Sequence, residues 1–89
     1  MGKNQEKDHN ITLKNRKIMN LDGVNEVVSY NEDNIYLKTN LGYLEIKGKN
    51  LNIQKLNLES ETVKIKGYIN NLIYTNKTKE KNFIKRMFK

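Results

Sequence analysis

The chain contains one histidine, so imidazole acid–base chemistry near neutral pH would have to run through His9. Asp8 precedes it, but adjacent side chains on an extended strand face opposite ways, so Asp8 is badly placed to orient the ring. The position borders a polar N-terminal stretch, and His9 reads as a surface residue beside the first strand. Ser29 and Ser60 lie beside turn residues and lack the context of a Ser-His-Asp triad. Ten carboxylates are present, none at a metal-binding spacing, and Asp22, Glu32 and Asp33 read as turn formers. With no cysteine, a thiolate zinc site and any disulfide are excluded. No glycine-rich phosphate loop occurs. These residue types point to no enzyme, no metal and no cofactor.

Binding chemistry has more to work with. Tyr36, Tyr43 and Tyr68 share an outward parity and alternate with Lys38, Lys47, Lys64 and Lys66. Aromatic side chains set in a basic groove are what single-stranded nucleic acid needs for base stacking. Cross-strand pairing on the wetter face of a sheet explains the same pattern, and Tyr is also common at protein interfaces. Glu45 and Glu61 nearby favour the protein-contact and structural alternatives over nucleic acid.

Strands must position these residues. Ile11 and Leu13, then Ile35, Leu37 and Thr39, then Leu44 and Ile46, then Val63, Ile65 and Ile69 alternate with polar or outward residues. That is the period of two expected of half-buried strands. Turn formers separate the runs at Asp22-Gly23, Asn31–Asn34, Asn40–Gly42, Gly48–Asn50, Glu59–Glu61 and Asn70-Asn71. The spacing predicts an all-β antiparallel meander of about 7–8 short strands, near 10–14, 17–21, 24–30, 34–39, 43–48, 51–58, 62–69 and 71–75. A curled sheet, a small barrel and a sandwich all fit the pattern. Leu51 and Ile53 share one parity and Leu56 and Leu58 the other, which predicts a β-bulge at Gln54-Lys55. Gly67 occupies an inward position, where a missing side chain permits a bend or close approach. Leu44–Gly48 is echoed by Val63–Gly67, 19 residues later. Two copies are fewer than a solenoid needs, which leaves a short β-solenoid as the minor alternative.

At 89 residues the chain fits one thin-cored domain. Its net charge of +7 is uneven: residues 1–17 carry +3, residues 18–74 carry −1 and residues 75–89 carry +5. A nearly neutral body with basic ends suits an anionic membrane surface, an acidic partner or plain solubility. The polar start does not resemble a signal peptide, and no run approaches the roughly 20 apolar residues that span a bilayer. Both features predict a cytoplasmic location. The organisation expected is a polar tail over 1–8, an all-β domain over 9–75, and a basic linker with an amphipathic segment over 76–89. Drawn as a helix, that last segment sets Phe83, Ile84, Met87 and Phe88 on one arc and Lys85, Arg86 and Lys89 on the other. The layout suits docking on an anionic membrane or a partner groove, and equally a fold-back onto the sheet. A thin core and open sheet edges add an expectation of self-association.

From His9 to Tyr74 the chain resembles the YabP family of sporulation proteins. The resemblance is carried by His9-Asn10-Ile11-Thr12-Leu13-Lys14-Asn15-Arg16 and Asp22-Gly23-Val24-Asn25-Glu26-Val27-Val28-Ser29-Tyr30. It continues through Ile35–Thr39, Gly42–Gly48, Leu56–Glu59, Val63–Gly67 and Leu72–Tyr74, and the basic-aromatic ending Asn82–Lys89 also fits. The related YqfC branch shares the domain. The resemblance implies a non-enzymatic structural or adaptor role in building the spore envelope from the mother-cell cytoplasm. It also implies a membrane protein of the YabQ type as a partner. It carries no catalytic residues.

Overall fold

The computed structural model describes residues 8–75 of the chain. Six strands follow one another: β1 (Ile11–Lys14), β2 (Ile18–Leu21), β3 (Val24–Tyr30), β4 (Asn34–Thr39), β5 (Gly42–Asn57) and β6 (Thr62–Thr75). They form one unclosed antiparallel sheet in the order β1-β2-β6-β5-β4-β3. Local chemistry explains the hairpins. Asn15 and Arg16 both take positive φ, and Lys17 N–H donates to the Lys14 carbonyl at 2.9 Å, closing a two-residue turn whose twist matches its strands. Asn31 Oδ1 accepts from the backbone N–H of Asp33 and Asn34, bending the chain between β3 and β4. Thr39 Oγ1 donates to the Gly42 carbonyl at 2.6 Å and closes the turn between β4 and β5.

Several expectations about the strands need correction. The expected strands 43–48 and 51–58 are one strand, β5, and 62–69 and 71–75 are one strand, β6. Gly48–Asn50 and Asn70-Asn71 are not hairpin turns. Register shifts between Lys47 and Gly48, and between Lys49 and Asn52, let pairing continue through them. Asp22-Gly23 is not a hairpin turn either. It carries the chain from β2, which pairs with β6, to β3 at the far edge, so the sheet is not a simple meander. Uniformly antiparallel pairing also rules out the short solenoid. The predicted bulge is present: Ile53 pairs with Ile65 and Lys55 with Lys64, leaving Gln54 as the extra residue.

β5 and β6 are long enough to serve two half-sheets. One is β3-β4 with Gly42–Lys47 of β5 and Asn71–Thr75 of β6; the other is β1-β2 with the remaining lengths of β5 and β6. A straight strand of β5's 16 residues would span about 50 Å. Yet the Gly23 carbonyl accepts from Asn40 N–H, just before β5, while Val24 N–H donates to Glu61 O, just after it. The two ends therefore meet, and the β5–β6 hairpin is bent back on itself. The bend falls where backbones cross most closely. A Cβ on Gly67, whose φ is +133°, would lie 2.6 Å from the Asn50 carbonyl oxygen, and one on Gly48 would overlap the Tyr68 carbonyl. The echoed segments noted in the sequence thus end in the two glycines of the bend.

The core fills the space between the half-sheets. Met19, Leu21, Ile35, Leu37, Leu44, Ile46, Leu51, Val63 and Ile65 are buried there, with Val24 and Ile69. The unpaired edge of β5 beyond the bend is covered by the β3–β4 region: Gly48 and Leu51 N–H donate to Asp33 and Glu32 carbonyls, and Ile53 N–H donates to the Tyr30 hydroxyl. Strain and steric overlap at the bend set the sensitivity of the fold. Gly67→Ala should lower stability by about 2 kcal/mol, a fall of roughly 8–16 °C in melting temperature. Thermal denaturation followed by circular dichroism measures it, with the exposed Asn52→Ala as the neutral comparison.

Candidate functional site

His9 meets the clasp that joins the two half-sheets. Its Nδ1 lies 2.8 Å from the Asp22 backbone carbonyl and its Nε2 lies 2.6 Å from the Tyr74 hydroxyl. A carbonyl only accepts, so Nδ1 carries the proton, and Nε2 accepts from the Tyr74 O–H. The rings also meet edge to face at 5.7 Å. The Asp22 carboxylate is turned elsewhere and accepts from Asn10 N–H at 2.6 Å. Both ring nitrogens are thus engaged in holding β6 to the β2–β3 connector. Among the described residues no group of three or more His, Asp or Glu side chains could hold a metal ion.

The three tyrosines do not form one platform. Tyr36, cross-strand from Glu45, and Tyr43, cross-strand from Lys38, lie on the outer face of the β3–β4 half-sheet. They point away from the core yet are only 6% and 5% exposed, and Glu45 beside them is 7% exposed. Tyr68 lies on the other half-sheet, 49% exposed, with the Lys17 amine 5.2 Å from its ring centroid. Arg16 is also committed, donating to the Ile69 carbonyl at 3.1 Å and to Asn70 Oδ1 at 2.8 Å. The expected contact segment Phe83, Ile84, Lys85, Arg86, Met87, Phe88 and Lys89 lies outside the described residues. No helix among the described residues is long and apolar enough to cross a membrane.

The most distinctive surface is the outer face of the second half-sheet. Pairing aligns two rows across four strands: Lys14–Ile18–Lys66–Asn52 and Thr12–Asn20–Lys64–Lys55. Lys49, cross-strand from Tyr68, extends the array past the bend. Carboxylates lie elsewhere: Glu26 and Glu45 on the opposite half-sheet, Glu32 and Asp33 in the β3–β4 turn, Glu59 and Glu61 about the β5–β6 turn. Asp22 stands at the margin, where Asn10, Thr12, Asn20, Lys55, Thr62 and Lys64 line an open groove. The charges that sum to nearly zero along residues 18–74 are therefore sorted in space. Parity alone marks Lys64 and Lys66 as outward. Placing Lys14, Lys49 and Lys55 beside them requires the sheet order and the Gln54 bulge.

These placements separate groups that hold the fold from groups free to meet a partner. Tyr43→Ala should cost about 3 kcal/mol of stability, as for other buried aromatics. Tyr68→Ala, half exposed, should stay within about 0.5 kcal/mol of the parent. Urea denaturation of the two variants reads the difference. Burial raises the Tyr74 phenol above its ordinary value of about 10. A raised folded-state value favours the neutral phenol, so this stabilisation is full below about pH 10 and is lost as pH climbs through the folded-state value. Tyr74→Phe should lose about 1 kcal/mol at neutral pH and show a smaller further loss than the parent in alkaline denaturation.

Comparison with known proteins identifies relatives of the chain. A model of the YabP family matches residues 5–81. The Spore protein YabP of Bacillus subtilis (strain 168) is 34% identical over 84 residues, spanning 91% of this chain and 84% of the relative. Both matches run across the whole β-sheet, and the chain belongs to the YabP family.

Proposed function

We propose that this chain is a non-enzymatic structural or adaptor component of sporulation, acting in spore-envelope assembly on the mother-cell side. One observation carries the non-enzymatic part: His9, the sole histidine, uses both ring nitrogens to clasp the sheet. The groups best suited to proton transfer are spent on structure, and broad strand faces are what the fold presents to other molecules. The sporulation setting is supported by family membership and by the relative named Spore protein YabP.

In this role the protein works by contact. Its partners are a sporulation membrane protein of the YabQ type and the anionic membrane surface around it, with the chain peripheral on the cytoplasmic side. The sheet edges are poorer meeting points. β1 has only four residues, and β3 is broken by two register shifts, both devices that blunt edge-to-edge pairing. Self-association, where it occurs, would therefore use a face more readily than an edge.

Deleting the gene in its spore-forming host and counting heat-resistant spores tests the role. The expected result is a sharp fall, restored by the wild-type gene supplied elsewhere. Unchanged counts in a strain with no second family gene would sink it.

A further inference from the structure

We propose that the lysine-bearing outer face of the β1-β2-β6-β5 half-sheet is a docking surface for an anionic lipid bilayer. Its cellular setting rests on the adaptor role above; its physical basis is independent of it. Lys14, Lys55, Lys64 and Lys66 project from the two rows of this face, joined by Lys49 and by Lys17 over Tyr68. Neighbouring strands lie about 4.8 Å apart and alternate residues about 6.6 Å apart, so the array is broad and closely spaced. Lys55 and Lys64 stand directly opposite one another, an arrangement that disfavours the isolated fold and is relieved by an anionic partner.

The side-chain types select a bilayer over the other polyanions. Lysine is a point charge on a long flexible stem, suited to many diffuse phosphates, whereas bidentate recognition of single phosphates favours arginine. Arg16 is occupied by Ile69 and Asn70. Base stacking needs free aromatic faces, but Tyr36 and Tyr43 are buried on the other half-sheet and Tyr68 has the Lys17 amine over its ring. Ile18 and Tyr68 sit among the lysines, giving apolar and amphipathic groups that enter the headgroup layer while the lysine stems reach outward to phosphate. Each lysine held at an anionic surface contributes about fivefold to binding.

The test is co-sedimentation of the full chain with vesicles of phosphatidylcholine containing one third phosphatidylglycerol, against vesicles of phosphatidylcholine alone. Binding should require the anionic lipid and weaken steeply with salt. Lys64→Gln with Lys66→Gln should weaken it about 25-fold. Lys38→Gln with Lys47→Gln, which removes equal charge from the opposite half-sheet, should change it less than about threefold. Circular dichroism melts confirm that both variants remain folded. Equal losses in the two variants would mean that net charge alone binds, and would overturn the assignment of this face. So would undiminished binding in both, which would place the contact outside the sheet. Tight binding to a single-stranded oligonucleotide with none to vesicles would overturn it in favour of nucleic acid. Failure of the adaptor role is read separately: normal spore counts on deletion, together with lysine-dependent vesicle binding, would sink that role and leave the docking surface standing.

Discussion

Two residues carry the chain between strands that four strand spacings separate in the sheet. In a flat sheet β2 and β3 would lie about 19 Å apart, whereas the three Cα steps from Leu21 to Val24 span at most about 11 Å. Asp22-Gly23 can bridge them only if the sheet is folded over. The backbone bonds from Gly23 to Asn40 and from Val24 to Glu61 hold it folded, and the bend in β5 and β6 follows. Gly48 and Gly67 are required where the backbones then cross. His9 adds a side-chain clasp at the same closure, tying Tyr74 of β6 to the Asp22 carbonyl.

Folding the sheet over creates the core. Each half-sheet offers one apolar face, and neither would bury it alone. Brought together, they enclose Met19, Ile35, Leu37, Leu44, Ile46 and Ile65 completely. Fully burying one such side chain contributes about 1.5–3 kcal/mol, more than the roughly 1 kcal/mol expected from a single hydrogen bond of the clasp. Hydrophobic burial therefore drives the closure, while the clasp selects its geometry.

The same bend sorts the outer faces. On one half-sheet Tyr36, Tyr43 and Glu45 are covered. On the other, Lys14, Lys49, Lys55 and Lys66 are exposed and Lys64 is half-buried, with the Asp22 carboxylate at the margin beside Lys55 and Lys64. A surface of that kind suits diffuse electrostatic contact rather than catalysis, which requires converging groups and exclusion of water. The chain that carries this surface belongs to the YabP family, whose Bacillus subtilis relative is named a spore protein.

The alternation of apolar and polar residues by itself determined the all-β class, because a period of two admits few other structures. It also located the Gln54 bulge, since two apolar pairs of opposite parity can share a face only if one residue is skipped, and it marked Gly67 as a place of close approach. The order of motifs from His9 to Tyr74 identified the family. Only the tertiary structure decided that Gly48–Asn50 and Asn70-Asn71 bend continuous strands rather than end them, because residues that favour turns also favour bulges. Only it gave His9 its partners, since Tyr74 lies 65 residues away. It buried Tyr36 and Tyr43 despite their outward parity and gathered the lysines of three strands onto one face. Period-two patterning specifies which side of its own strand a residue takes; which strand lies beside it, and what lies over that side, is set by long-range pairing.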